Sequence, residues 1–480
     1  MVAPLPPGRD VASILAQVEW LVAAGAPGRR RGEAPRAFTV VALTAVAIYL
    51  VAFGWSLQHA TYDVWAAFVI APVIVFASIR RLQRAAERSG DPALGGVLIA
   101  ALVLKLVGAI ALFAVSAELY KGAADASFYH DQGTIVAESL RRGDFDVDLG
   151  EGYRLVGTGF IVLLTGIVYA VIGATRLGGA LIFSWLGFWG LLLFYRAFCI
   201  GFPEGRRRRY AALLFFLPSL LFWSSSVGKE AWMTLMLGMV AWGLARFLTH
   251  HGGGLWAVAL GLTGSAMVRP HITLLVLVGV AVSYLLRRTR RMTWAVGTKL
   301  VGLAALLAVG ALLVARVETF FGIDDLDRGS AETVLANTTS NSSYGGSSYV
   351  ADRRPGDIPS PLEIPGALVT AMFRPFPHEA QNIQALASSL EGALLLLLYV
   401  AAARSLLRLP RLAWTRPYVA FAVAFTVLCA VALSSFGNFG LLARQRVQML
   451  PLAILLLALP VAGTAGSSPE DEKHLQPLAG

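Results

Sequence analysis

The sequence is short of charge and of cysteine, and each shortage excludes something different. Only 14% of its 480 residues are charged, against 56% hydrophobic, where a soluble domain carries about 25% charged residues. A water-facing surface of this size would need more. Length alone would suggest about three soluble domains. Long apolar runs recur from Ala37 to Ala462, however, and leave room for one sizeable loop system. The two cysteines, Cys199 and Cys429, lie in or at the end of apolar runs, so neither a disulfide framework nor a cysteine-based metal site is expected. No signal peptide opens the chain and no internal repeat is visible. Residues 1–36 are Pro-rich, with one amphipathic stretch from Val11 to Ala24, then Arg29, Arg30, Arg31 and Arg36. They read as a cytoplasmic tail ahead of an uncleaved first helix.

What the sequence does have is apolar runs of membrane-crossing length. A helix needs about 20 apolar residues to cross the hydrocarbon core. The candidates are 37–57, 63–79, 95–116, 155–173, 178–199, 211–226, 231–248, 254–268, 271–286, 298–316, 386–403, 417–434 and 447–463. The expected fold class is therefore all-α, a polytopic transmembrane helical protein with one membrane domain over 37–463 and a cytoplasmic tail over 464–480.

The formal net charge is +11, but a nucleic-acid partner is not expected. The arginines sit in short clusters between apolar runs: Arg80, Arg81, Arg84, Arg88; Arg206 to Arg209; Arg287, Arg288, Arg290, Arg291; and Arg404, Arg408, Arg411, Arg416. That is the pattern of cytoplasmic loops. All four clusters fall inside if 155–173, which carries Gly157, Gly159, Gly166 and Gly173, is re-entrant or tilted instead of fully crossing. The expectation is about twelve crossings in the cell membrane with both termini cytoplasmic. Outer loops then fall at 117–154 and 317–385.

Polar and acidic residues concentrate in those two loops and in short outer loops at Trp223–Glu230, Arg269–His271 and Ser435–Gln448. In the first, Phe128 to Leu140 has helical spacing, and Asp125 stands before it. Asp125 is either an N-cap or a carboxylate held at the membrane surface as a general base. His130 and Asp131 are alternatives, or partners for a metal or a phosphate. Asp144, Asp146, Asp148 and Glu151 read as a solvated face. Lys229 and Glu230 open a helix at its outer end, where Glu230 suits the helix dipole and Lys229 is placed for Asp125 or a lipid phosphate. Arg269 breaks the positive-inside trend, so an anionic partner is expected. Asp324, Asp325, Asp327 and Arg328 lead into a Ser/Asn/Gly-rich stretch that reads as a mobile lid or linker; Asn337 and Asn341 there fit the N-glycosylation pattern. Arg374, His378 and Glu379, which flank Pro375 and Pro377, form a candidate phosphate or sugar contact or an interfacial anchor. Arg444 and Arg446 are placed for lipid headgroups or a substrate diphosphate. No metal-ligand set stands out, so no cofactor is expected; a divalent cation is compatible but not indicated.

In the order of its motifs the sequence resembles the GT-C superfamily of polytopic glycosyltransferases. An outer-loop acid, Asp125, precedes Tyr129 and an A-x-x-L-x-x-G pattern of Ala137, Leu140 and Gly143. Ile172-Gly173-Ala174 ends a Gly-rich segment and a full span leads to Arg206–Arg209. Pro218-Ser219, Glu230 and a late loop with Arg444 and Arg446 ahead of Pro451 follow. The likeness covers residues 95–250 well and 260–463 loosely. It departs at Asp125-Ala126, where the family often has two adjacent acids, and in two extra leading spans. The resemblance implies a polyprenyl-phosphate-linked sugar donor, a glycan or lipid acceptor, and Asp125 as catalytic base, with Asp131 and Glu230 as further candidates. Tyr129, His130, Lys229, Arg269, Arg374, His378, Glu379, Arg444 and Arg446 would then bind substrate. The Phe373–Glu379 segment also resembles proteins near the Wzy-type polysaccharide polymerases, which implies a polymerase or ligase of lipid-diphosphate glycans as the alternative. A lipid or sugar transporter is the third expectation. It would use Lys105 and Arg196, the main charges inside apolar runs.

Overall fold

The computed structural model describes residues 36–89, 91–118, 125–150, 153–287, 295–323, 328–342, 348–349 and 360–460. Of the expected tails, 1–35 and 464–480 lie outside them, while Arg36 opens the first helix; Glu151, Arg288, Arg290, Arg291, Asp324, Asp325 and Asp327 also lie outside, as do the side chains of Arg328 and Asn341. Among the described residues there is no strand, and Ser348 and Asn438 form one isolated bridge. The chain falls into two compact units, one ending at Leu104 and one beginning at Lys105.

The smaller unit holds α1 (Arg36–His59), α2 (Tyr62–Ser89) and the first part of α3 (Pro92–Glu118). The Tyr49 hydroxyl donates to the Phe68 carbonyl, and Tyr49 packs on the Phe68 ring at 5.4 Å. Arg80, Arg81, Arg84 and Arg88 extend α2 as helix; no loop separates them from it.

The larger unit continues with α4 (Asp125–Arg141), α5 (Thr158–Ile172), α6 (Arg176–Gly201), α7 (Arg207–Phe216), α8 (Pro218–Phe222), α9 (Lys229–Leu248), α10 (Gly254–Ala266) and α11 (Pro270–Leu286). Next come α12 (Ala295–Phe321), α13 (Arg328–Ser342), α14 (Ile364–Phe373), α15 (Ile383–Ala401), α16 (Ala403–Leu406) and α17 (Leu409–Thr415). It ends with α18 (Pro417–Leu433), α19 (Phe439–Gln445) and α20 (Leu450–Ala453). Its centre is the pairing of α6 with α9. A Cβ on Gly190 would stand 2.4 Å from the Thr234 carbonyl oxygen, and one on Gly238 2.4 Å from that of Gly190. The two backbones therefore touch, which is how helices associate where water supplies no hydrophobic drive.

Among the described residues six helices are long and apolar enough to cross a membrane: Tyr62–Ser89, Ala93–Ala117, Arg176–Gly201, Lys229–Leu248, Lys299–Phe321 and Ile383–Ala401. The pair Phe439–Gln448 and Leu450–Ala458, bent by 62°, makes a seventh if it is one span. Their outer faces are apolar, as at Val301, 71% exposed, and Leu397, 67% exposed. This is consistent with a membrane protein. Several expected spans are shorter. The 155–173 segment yields a 15-residue helix, about 22 Å at ~1.5 Å per residue against a hydrocarbon core of ~30 Å. The 211–226 run is not one helix. Pro218 lacks the N–H that would continue α7, and the chain breaks there into α7 and α8. Lys105, fully buried, holds the broken piece by donating to the Leu220 carbonyl at 2.6 Å and to Ser224 Oγ at 2.7 Å.

Helix α13 takes in residues 336–342 of the Ser/Asn/Gly-rich stretch that reads as a mobile lid or linker, and the rest of that stretch apart from Ser348 and Tyr349 lies outside the described residues. Its Thr333, Thr338 and Thr339 hydroxyls bond the carbonyl four residues back. Thr339 also donates to the Ser435 carbonyl at 2.8 Å. The helical spacing at Phe128–Leu140 does give a helix, and it begins at Asp125.

That helix, α4, is seated on α5 through paired glycines. A Cβ on Gly133 would meet Thr165 Cγ2 at 2.6 Å, and one on Gly166 would meet Val136 Cγ1 at 2.3 Å. Gly166→Ala should therefore destabilise the protein by about 1–3 kcal/mol through overpacking. Adding Val136→Ala should recover part of that loss. Denaturant unfolding in detergent measures both.

Candidate functional site

Glu230 is the acid that organises this site. It lies in the first turn of α9, where the helix dipole favours a negative charge, yet its side chain is only 2% exposed. A buried carboxylate is costly unless paired, and two guanidinium groups pair it. Arg269 Nη2 donates to Glu230 Oε1 at 2.8 Å. Arg444 Nη2 donates to Oε2 at 3.0 Å, and Arg444 Nε lies 2.9 Å from Oε1. This second contact is the two-pronged guanidinium–carboxylate geometry, which fixes orientation as well as charge.

Local sequence explains how three distant segments meet. Val268 and Arg269 form the corner between α10 and α11, and Pro270 sits at the first position of α11, where its missing N–H costs nothing. Trp232 Nε1 donates to the Gly264 carbonyl at 2.8 Å, locking α9 against α10 beside that corner. Asn438 caps α19 by accepting from the backbone N–H of Gly440 at 2.8 Å. That helix then presents Arg444. The start of α5 joins through the Gly157 N–H, which donates to the Met267 carbonyl at 2.7 Å. Lys229 Nζ donates to Thr158 Oγ1 at 3.0 Å.

Arg444 also reaches outward. Its Nη1 donates to Asp125 Oδ2 at 2.8 Å, and the Asp125 side chain is 60% exposed. The result is a chain of charge from an accessible carboxylate to a buried guanidinium: Asp125, Arg444, Glu230, Arg269. Tyr129, one turn along α4 from Asp125, is buried beneath it. Burial first, then the negative charges of Asp125 and Glu230, raise its hydroxyl pKa well above the ordinary value. It therefore stays protonated at neutral pH.

The other expected site residues stand elsewhere. Asp131 is six residues from Asp125, about 240° around the helix at ~100° per residue, and faces Arg176 at 3.7 Å. His130 Nδ1 lies 3.0 Å from the Tyr169 hydroxyl. Arg374 and Glu379 close a pair of their own, with Arg374 Nε donating to Glu379 Oε2 at 3.2 Å. Arg374 also lies over the Tyr349 ring at 4.7 Å. Burial pushes the Glu379 carboxyl up, but hydrogen bonds from Arg374 and the Phe376 N–H outweigh it and hold it below its usual range. His378 stacks on Phe376. Arg446 is fully buried, 3.7 Å from Glu391, with bonds to the carbonyls of Met372, Arg374 and Ser388. It is a tie between helices. The acids Asp144 and Asp148 accept from nearby backbone N–H groups and stay exposed.

Three residues were not singled out for the site from the sequence. Glu391 was legible as a lone acid inside an apolar run. His271 was legible from its place after Arg269-Pro270. Thr158 carries no signal of its own. Among the described residues no group of three or more His, Cys, Asp or Glu is placed to hold a metal ion.

No family model, curated protein or solved structure matches the chain. Function is therefore argued from this geometry.

The two ends of the charge chain should respond differently to neutralisation. Glu230→Gln leaves two arginines around a neutral buried group and should cost about 3–5 kcal/mol. Asp125→Asn breaks a half-exposed pair and should cost under about 1 kcal/mol. Thermal unfolding of the purified variants compares them.

Proposed function

We propose that this chain is a membrane-embedded, inverting sugar transferase. It would use a polyprenyl-phosphate-linked donor and an extracytoplasmic glycan or lipid acceptor. The observation that carries this reading is the pairing of one accessible carboxylate, Asp125, with Arg444, itself anchored by buried Glu230. Such a site offers a base and a positive field a few ångströms apart. The acceptor hydroxyl oxygen attacks the anomeric carbon, the bond from that carbon to the phosphate oxygen breaks, and the phosphate departs with the electron pair. Asp125 takes the hydroxyl proton. The cations of the cluster stabilise the charge that develops on the phosphate. Glu230, saturated by two guanidinium groups, acts as a positioning residue and not as a base.

The same reading places the chain in the cell membrane, with about twelve crossings, both termini cytoplasmic and the Asp125 cluster on the outer face. The short helices and the bent pair would complete crossings that the six long helices do not supply. A polymerase of lipid-diphosphate glycans would lean on Arg374, Arg444 and Arg446. That alternative is less well supported, because Arg446 has no exposed surface and Arg374 is committed to Glu379. A transporter would need free charge at mid-membrane, and Lys105 is tied to carbonyl oxygens.

Membranes carrying Asp125→Asn should lose sugar transfer from a radiolabelled polyprenyl-phosphate donor by about 100- to 10,000-fold, the usual contribution of a general base. The protein should remain folded and at wild-type abundance. Full transfer by this variant rejects Asp125 as the base.

A further inference from the structure

The ion cluster around Glu230 is not neutral. Lys229, Arg269 and Arg444 face Asp125 and Glu230 within one electrostatic neighbourhood. One positive charge is left over where burial makes it costly. The surplus is unevenly shared. Arg444 spends Nη1, Nη2 and Nε on the two carboxylates. Arg269 spends only Nη2. Its side chain is 8% exposed, and its Nη1 is buried with no hydrogen-bond partner among the described residues. Lys229 donates once, to Thr158, and an ammonium has three donors.

His271 adds a second unpaired group. It follows Arg269 by two residues, and its Nδ1 is likewise buried without a partner among the described residues. Its ring packs between Phe320 at 5.6 Å and Phe321 at 5.4 Å. Arg269 and Lys229 are the charges that act on it. Buried donors normally find acceptors, so an unpaired guanidinium nitrogen and an unpaired imidazole nitrogen two residues apart in the chain mark a place for a ligand rich in acceptors.

We propose that Lys229, Arg269 and His271 form a subsite for a single phosphate ester group, reached beside Asp125. This rests on the sugar-transfer reading and specifies which side chains meet the donor's phosphate. A phosphodiester brings one negative charge, matching the surplus, and several acceptor oxygens. Arg269 Nη1 grips one oxygen, the spare Lys229 hydrogens another, and His271 donates through Nδ1–H. Arg444 stays with Asp125 and Glu230 and contributes field, not grip.

The test uses the full chain in phosphatidylcholine nanodiscs, with citronellyl phosphate, citronellol and inorganic phosphate as probes and tryptophan fluorescence as the readout. Citronellyl phosphate should bind saturably, citronellol should not, and inorganic phosphate should compete. Arg269→Lys keeps a cation against Glu230 but removes the second nitrogen, and should weaken binding about 10-fold or more, the effect of losing a charge-assisted hydrogen bond. His271→Phe leaves the Glu230 pairs intact and should weaken it several-fold. Exchanging phosphatidylcholine for phosphatidylglycerol separates the sources of phosphate. Loss of probe binding identifies bulk headgroups as occupants of the subsite, and unchanged binding reserves it for prenyl phosphate. Wild-type affinity in both variants, or no saturable binding at all, overturns the subsite. Transfer by the wild-type chain and by Asp125→Asn separates the two proposals. If the wild-type chain transfers no sugar although Arg269→Lys weakens phosphate binding, the sugar-transfer reading falls and the subsite stands; if Asp125→Asn retains transfer while Arg269→Lys loses phosphate affinity, Asp125 is not the base and the subsite stands. The reverse pattern removes the subsite alone.

Discussion

One carboxylate buried beneath two guanidinium groups draws three distant segments of the larger unit to one point. Taking Glu230 out of water costs several kcal/mol, as does taking out each arginine. That cost is offset only if all three arrive with good geometry. The start of α9, the corner before α11 and the end of α19 must therefore converge together. Close backbone packing of α6 on α9, and of α4 on α5, brings these ends into register. The exposed Asp125 is then presented at a fixed distance from a cation whose other side cannot move.

The buried charges of this protein divide by what they touch. Lys105 meets carbonyls and a serine hydroxyl and holds a broken helix in place. Arg446 meets Glu391 and three carbonyls and ties α14, α15 and the α19–α20 bend together. Both serve architecture. The Glu230 group differs because one of its acids, Asp125, is open to solvent.

Much of this was legible in the sequence, for reasons that can be named. An arginine at the end of a short apolar run announces a need for an anion, and Arg269 has one in Glu230. Helical spacing over Phe128–Leu140 and the polar start at Asp125 announce α4. What stayed hidden depends on distance in the fold. Asp131 and Asp125 are close in sequence, but the helix turns them apart. Arg444 and Arg446 are neighbours, yet one reaches the cluster and the other is sealed among helices. The Ser/Asn/Gly stretch looks disordered by composition, but its first residues, through Ser342, are helical: the Thr338 and Thr339 hydroxyls bond back to the helix, and Thr339 also reaches the Ser435 carbonyl. Apolar length also overstated the regular helix at Pro218, where one missing N–H divides a run that hydropathy reads as continuous.

The most direct measurement of the central claim is a double-mutant cycle on Glu230 and Arg444, read by denaturant unfolding of Glu230→Gln, Arg444→Gln and the double variant. Contacting ionic groups couple by about 0.5–3 kcal/mol, whereas distant sites add. The account predicts that the double variant is clearly more stable than the summed single losses imply, because removing Arg444 costs little once its buried partner is neutral. Additive losses would contradict it, since the two side chains would then not share one buried ion pair.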